Sequence, residues 1–357
     1  MPATLACLDM NQHCSGGLPF RVAKGEPDGR HGHRCDKALT SCTDRSIMCL
    51  DESDDTAKGI LHMKKTAIVK KLVLTCALLL GAGTVSANQS AKVLNLNFHV
   101  FTSEDDGFFD NSVVVEGDKE LLLIDAQLTR ANALNVLNLI RSLKKDLKQI
   151  YITHEHADHF LGLEVFKDAF PNVEILANSK VASRIDEVYK AKLEKWHDVL
   201  GSKAATREIP ITSFDGNQLS LEDTKIEIHK HLQGDTDENS YLWFPKERVA
   251  VVSDMAYDQM HVYTVETTPE SRKRWVQNLD VLAQLKPNIV IPGHNSPNKK
   301  LDAHSAIDFT KQYLLVFEEE LSKSSSRTEL QKRMKVKYPD AELFFSVERA
   351  SAKFFGQ

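Results

Sequence analysis

Three imidazoles and two carboxylates, of which Asp158 falls in the ligand spacing, lie within six residues in Thr153-His154-Glu155-His156-Ala157-Asp158-His159, directly after a short apolar run at 149–153. Whatever fold this chain adopts must place that cluster where its side chains are satisfied. A polar loop of solvated histidines would suffice for one imidazole. Four ligand-type residues at this density are too many, because burying unpaired imidazoles and carboxylates is costly. Neutral imidazole together with carboxylate suits zinc and neighbouring divalent transition metals, and a catalytic site needs about three protein ligands plus an open position. His154 and His156, two apart at a strand end, reach to the same side. Asp158 and His159, from the following loop or helix start, turn toward a second position.

The pattern His-x-His-x-Asp-His after a strand resembles the metallo-β-lactamase superfamily, whose members include β-lactamases, lactonases, thioesterases, persulfide dioxygenases and some nucleases. The likeness runs from about residue 94 to about residue 298. It implies an α/β chain folded as a four-layer αββα sandwich with metals at one edge of the paired sheets. Two further stations fit the resemblance: Val-Val-Ser-Asp254 and Ile-Pro-Gly-His294 each end an apolar run in a ligand. The resemblance implies that Asp254 bridges two metals and that His294 joins Asp158 and His159 on the second. One station departs from the pattern. Many members carry Gly-His-Thr where this chain reads Gly234-Asp235-Thr236, so Asp235 stands in the place of the third histidine of the first metal, with Asp237 and Glu238 as alternatives. A site of His154, His156 and Asp235 is more anionic, which favours harder cations and leaves zinc, iron and manganese open. Tyr257, three residues past Asp254, resembles a tyrosine of the lactonase branch that contacts the substrate oxygen; a rim aromatic with a solvated hydroxyl is the alternative.

The two ends of the chain read differently from its middle. Residues 63–87 start Met-Lys-Lys, continue through an apolar stretch at 72–85 and close on Val85-Ser86-Ala87, the pattern of a secretory signal peptide. That stretch is short for a membrane span. Residues 1–62 hold Cys7, Cys14, Cys35, Cys42 and Cys49, lack a Cys-x-x-Cys knuckle, and read as a disordered or non-native leader. The last of the six cysteines is Cys76, so a chain cut after Ala87 has no thiol and no disulfide framework. It is expected to be periplasmic or secreted. About 270 residues then remain, enough for one large core.

Within 88–298, alternation and apolar runs predict strands at 95–101, 112–115, 120–124, 149–153 and 173–177, then at 218–221, 225–231, 240–244, 249–252 and 289–292. Helical spacing predicts helices at 130–143, 162–170, 179–200 and 269–285. Two strand-rich halves with helices outside give the layered sandwich. Residues 299–357 read as a C-terminal helical appendage. The loop 103–110 has the glycine and aromatics of a flap, so Phe108 and Phe109 either cover a ligand or belong to the core; Trp196, His261 and Tyr263 are further pocket candidates. His229 and His231 share one face of their strand and read as surface residues.

The balance of 45 basic and 50 acidic side chains gives a formal charge of −5, which offers no electrostatic footprint for nucleic acid. A small-molecule substrate is the expected partner, with no membrane association after signal cleavage. The expected chemistry is hydrolysis of a lactone, ester or β-lactam by a water whose pKa two metals, expected to be Zn2+, have lowered. Asp158 would accept its proton and Tyr257 would donate to the oxyanion. Asp254 and Tyr257, where many two-zinc β-lactamases carry cysteine and lysine, weigh against the β-lactam. Two other classes remain: a mononuclear iron dioxygenase resembling the persulfide dioxygenases, and a catalytically weak metal-binding protein in which Asp235 has disabled the first site.

Overall fold

Most strands of this chain are apolar on both faces, and that dictates a layered arrangement in which each sheet is covered twice. The computed structural model describes residues 96–356 apart from 298, together with the strand Met48–Cys49. The leader expected at 1–62, that strand excepted, and the export segment expected at 63–87 lie outside the described residues.

Two sheets form. The first has the strand order β1 (Met48–Cys49), β2 (Asn97–Thr102), β3 (Asn111–Glu116), β4 (Glu120–Ile124), β5 (Asp146–Tyr151), β6 (Glu174–Ala177), β7 (Thr212–Ser213). The second runs β12 (Ile289–Asn295), β11 (Val249–Asp258), β10 (Asn239–Phe244), β9 (Thr224–Leu232), β8 (Gln218–Leu221). Period-two alternation assigns each side chain to a layer. Phe98, Val113, Val115, Leu122 and Ile124 of the first sheet meet Ile228, Leu242, Phe244, Val251 and Ile291 of the second in a central core. The intervening Val114, Leu121 and Leu123 face outward beneath α1 (Arg130–Leu143), α3 (Leu163–Ala169) and α4 (Ser179–Leu200). On the far side Ala250 and Val252 face outward beneath α5 (Pro269–Gln284) and the C-terminal helices α6 (Ser305–Ser322), α7 (Arg327–Lys337) and α8 (Phe345–Phe355). Helices, sheet, sheet and helices make the four-layer αββα sandwich expected from the pattern.

The C-terminal helices lie in the same outer layer as α5. Phe344, Phe345, Phe354 and Phe355 pack against that core cluster, and the buried Arg272 of α5 lies between the rings of Phe317 and Phe354, 5.4 and 5.2 Å from their centroids. Among the described residues no helix is long and apolar enough to cross a membrane.

Local signals set the helix bounds. Thr129 and Asn178 accept from the backbone N–H of Asn132 and Val181 and so start α1 and α4. Thr268 and Ser271 form a capping box ahead of Pro269 on α5. Three features differ from the sequence reading. β5 ends at Tyr151, so residues 152–156 form a loop. The motif itself contains a one-turn helix, α2 (Ala157–Phe160). Strands β11 and β12 run on past Val252 and Pro292 to Asp258 and Asn295, which carries the ligand stations inside paired strands.

The turn after α2 is pinned to the end of β4. The Gly162 N–H donates to the Gln127 carbonyl at 2.8 Å, and a Cβ there would lie 2.1 Å from the Ala126 carbonyl oxygen and 2.8 Å from the Ala133 Cβ. The backbone on both sides is fixed, so the clash cannot be relieved by rotating a side chain. Gly162→Ala is therefore expected to lower the unfolding free energy by about 1–3 kcal/mol. An unchanged denaturant midpoint would refute that close approach.

Candidate metal centre

Two loops, a one-turn helix and two strands deliver the expected side chains to one edge of the paired sheets. The loop after β5 carries His154 and His156, α2 carries Asp158 and His159, the β9–β10 connection carries Asp235, β11 carries Asp254 and β12 carries His294. The ligand atoms of His154, His156, Asp235 and Asp254 lie within 4.8 Å of one another. His156 Nδ1 is 2.8 Å from Asp235 Oδ2, and His154 Nε2 is 3.9 Å from the same oxygen and 3.7 Å from Asp254 Oδ2. Around Asp254 the second set assembles. His159 Nε2 is 3.4 Å from Oδ1, and His294 Nε2 is 3.2 Å from Oδ2. Asp158 Oδ2 lies 3.8 Å from His159 Nε2 and 3.6 Å from His294 Nε2. Asp254 thus faces both sets at once.

Asp235 fills the station where histidine was expected. Its Oδ1 accepts from the Thr236 backbone N–H at 2.8 Å and from Asn239 Nδ2 at 3.1 Å, which aims Oδ2 at His156. Asp237 pairs with Arg184, and Glu238 pairs with Lys180 and His231, so neither alternative joins the centre. His229 stacks on Tyr241, ring centroids 4.4 Å apart, also away from it.

Tyr257 is fully buried, with its ring stacked on His294. Its hydroxyl donates to Asp254 Oδ2 at 2.6 Å and to Asp235 Oδ2 at 3.4 Å. The solvated rim hydroxyl is thereby excluded. Burial, with Asp235 and Asp254 beside it, holds the phenol well above its ordinary range, so it stays a donor. Among the pocket candidates, Tyr263 packs edge-on against His156 at 5.3 Å, whereas His261 is buried under Tyr313 and Phe344.

The electrostatics are those of a cation site. Burial is the largest single influence on every imidazole here and disfavours its charge, yet at His294 Asp254, Asp158 and Asp110 together outweigh it and push that ring up to about 9. Asp235 and Glu266 together outweigh burial at His156, and Asp110, Asp254, Asp125 and Asp158 together do so at His159. His154, dominated by burial and repelled by its charged neighbours His159 and His156, is pushed down. Burial raises Asp235 to about 6, whereas at Asp254 the adjacent His294 and His159 outweigh burial and hold the carboxyl low.

Buried polar atoms without a partner give the sharper test of fit. His154 Nε2, His159 Nε2 and Asp254 Oδ1 make no hydrogen bond, and each such atom costs about 1–3 kcal/mol when left unsatisfied. All three point into the same space, and all are donors of the kind a divalent transition metal takes. The residues fit the group.

Four residues missing from the sequence reading hold the ligands in place. Asp125, just past β4, accepts from the Thr153 N–H and hydroxyl at 2.9 and 2.8 Å, from Ser253 Oγ at 2.9 Å and from His159 Nδ1 at 2.9 Å. An apolar strand ending in a carboxylate, Leu-Leu-Leu-Ile-Asp125, is the signal that singled out Asp254, and it applies equally here. Thr153 sits 3.1 Å from His154 Nδ1, leaving Nε2 free for the centre. Ser253 lies where the β11–β12 register shifts, at φ 47, which turns Asp254 inward. Asp110 is fully buried, with Oδ1 unpaired 3.5 Å from His159 Nδ1. It groups geometrically with His159 and His294, and its loop position carried no pattern to mark it.

Gly293 makes room for this arrangement. A Cβ there would lie 1.8 Å from Asp254 Oδ1 and 2.8 Å from the Asp254 backbone N. Gly293→Ala must push the shared carboxylate aside, so metal uptake is expected to fall by about tenfold or more while the fold persists. Calorimetric metal titration checks this, and wild-type uptake would refute it.

Comparison with known proteins agrees with this geometry. A family model described as the metallo-beta-lactamase superfamily matches residues 105–294, more than half of the chain. The exodeoxyribonuclease WalJ of Streptococcus pneumoniae is 32% identical over 116 residues, which are 30% of this chain and 41% of that protein. This chain therefore spans less than half the length of that relative. The metallo-beta-lactamase type 2 of Bacillus cereus is 21% identical over 221 residues, 59% of this chain and 77% of that protein. The solved metallo-beta-lactamase of Pontibacter korlensis superposes with a TM-score of 0.48 at 18% identity, covering 62% of this chain and 94% of the other.

Proposed function

This chain belongs to the metallo-beta-lactamase superfamily, and from that premise we propose that it is a metal-dependent hydrolase opening a lactone, ester or β-lactam. The observation that carries the reading is the convergence of His154, His156, Asp235 and Asp254 within 4.8 Å, with His159, His294 and Asp158 ranged around Asp254. His154, His156 and Asp235 would hold one divalent cation; Asp158, His159 and His294 would hold a second; Asp254 would serve both. Bound cations supply Lewis acidity for the scissile carbonyl and lower the pKa of a water ligand.

The chain's own groups do the rest. Asp158 is partly exposed beside His159 and His294, where it can accept the proton of the attacking water and return it to the leaving group. Tyr257 keeps its proton, donated to Asp254 here, and would swing that O–H from the carboxylate to an oxyanion forming beside it. Asp125 keeps the His159 ring fixed through Nδ1 during turnover. Export is proposed from the residue pattern at 63–87 alone.

A second reading, phosphodiester hydrolysis, is favoured by the identity shared with WalJ over 116 residues. The formal charge of −5 opposes it, because phosphate neutralisation needs a basic footprint. Chromogenic ester, lactone, thioester and β-lactam substrates, run beside single- and double-stranded DNA, separate the two.

Removing metal with a chelator is expected to abolish hydrolysis, and two equivalents of zinc to restore it. Asp158→Ala and His294→Ala should each lower kcat/KM by on the order of a hundredfold or more; full activity in either would overturn the two-metal reading. Asp235→His should tighten zinc binding, since imidazole is the softer ligand. A zinc titration identical to wild type would remove Asp235 from the ligand set.

A further inference from the structure

The loop that leads into β3 is strained where it meets the metal centre. Phe108 and Phe109 have φ of 65 and 58, two successive bulky residues in the left-handed region. Such a conformation persists only when its surroundings impose it, and it tends to mark functional segments. Here the surroundings are identifiable. The Phe108 ring lies 5.0 Å from Phe345 of α8 and 5.7 Å from Trp196 of α4. Its backbone carbonyl lies 2.8 Å from His294 Nδ1. The next-but-one residue, Asp110, forms an antiparallel bridge with His294.

We propose that Phe108 is a positioning residue for the second metal station, and that Phe345 of the C-terminal helix holds it in place. This rests on the metal-centre reading above. The Nδ1–H of His294 donates to the Phe108 carbonyl, which fixes the tautomer and leaves the Nε2 lone pair facing Asp254 and Asp158. The carbonyl points that way only while the backbone stays left-handed. The two ring contacts offset the cost of that conformation, and a chain of contact thus runs from α8 through Phe108 to a ligand far from it in sequence. Among the described residues the first station is oriented by other partners: His154 by Thr153, Asp235 by Asn239, and His156 by Tyr263 and Glu266. The device therefore acts on one cation and not on the other.

The test uses the full-length chain stripped of metal and titrated with zinc by calorimetry. The wild type should take up two equivalents. In Phe345→Ala the second equivalent should bind about tenfold or more weakly, as expected for loss of an outer-shell support, while the first keeps its wild-type affinity. The downfield Nδ1–H proton signal of His294 should broaden or vanish in the same variant. Trp196→Leu, on a partly exposed helix face, removes the other ring partner and should reproduce the effect if Phe345→Ala fails to fold; Phe345→Tyr should restore wild-type binding. Unchanged binding of both equivalents, or equal weakening of both, would overturn the proposal and leave Phe345 a packing residue. A wild-type protein that takes up no second equivalent would instead overturn the metal-centre reading itself, which is how the two failures are told apart.

Discussion

One carboxylate ties this molecule together. Asp125 follows the last residue of β4 in a left-handed conformation, φ 59, and from there accepts hydrogen bonds from Thr153, Ser253 and His159. Those partners belong to the loop after β5, to β11 of the other sheet, and to the helix inside the histidine motif. The end of β4 in the first sheet, the middle of β11 in the second and the helix inside the motif are thereby held at one point. Charge-assisted bonds of this kind are roughly twice as strong as neutral ones, and their strength grows in a buried setting. Without Asp125, the Ser253 hydroxyl and the His159 Nδ1 would lose a buried partner together, and the inward turn of Asp254 would lose its anchor.

The two-sheet architecture explains how ligands from distant stretches of chain meet. Apolar residues on both faces of most strands, β3, β4, β11 and β12 among them, force the sheets to be covered on both sides, so no ligand can emerge from the middle of a layer. The edge is the one place where strands from both sheets end side by side and where backbone can turn inward without leaving unpaired groups. Parallel pairing of β11 with β12 puts Asp254 and His294 on adjacent strands facing the same edge. Parallel pairing of β4 with β5 does the same for Asp125 and the motif. The layering thus creates the site's location before any ligand residue is chosen.

The sequence carried most of this. Strands with alternating or continuous apolar residues were readable because burial acts on side chains, and side chains are what a sequence records. The stations at His154, His156, Asp158, His159, Asp254 and His294 were readable for the same reason. Asp125 had the same strand-end signature as Asp254 and escaped because the resemblance marked a ligand station at Asp254 and none at Asp125. What no pattern could mark was the backbone. The register shift at Ser253 and the Phe108 carbonyl are properties of the chain path, and a carbonyl is the same on every residue. The short strand β7 and the one-turn helix α2 were missed because two to four residues are too few for any periodicity to emerge.

At Asp235 the same backbone constraints act on a single ligand station. An aspartate reaches less far than a histidine, so the backbone that carries it must come closer to the centre than a histidine-bearing loop would. The β9–β10 connection does this and is held there: Gln233 Nε2 donates to the carbonyls of Gly234 and Thr236, and Asn278 of α5 donates to the Gln233 carbonyl. The carboxylate is then fixed through Oδ1 by Thr236 and Asn239, which leaves Oδ2 facing His156 and His154. A carboxylate held this firmly differs from one placed by chance in a vacated position. The added negative charge raises the attraction for any divalent cation while making it a weaker acid toward water, and Tyr257, donating to both Asp235 and Asp254, offsets part of that charge. The Asp235 station is therefore held by contacts of its own, which is the support that the proposed first metal site would need.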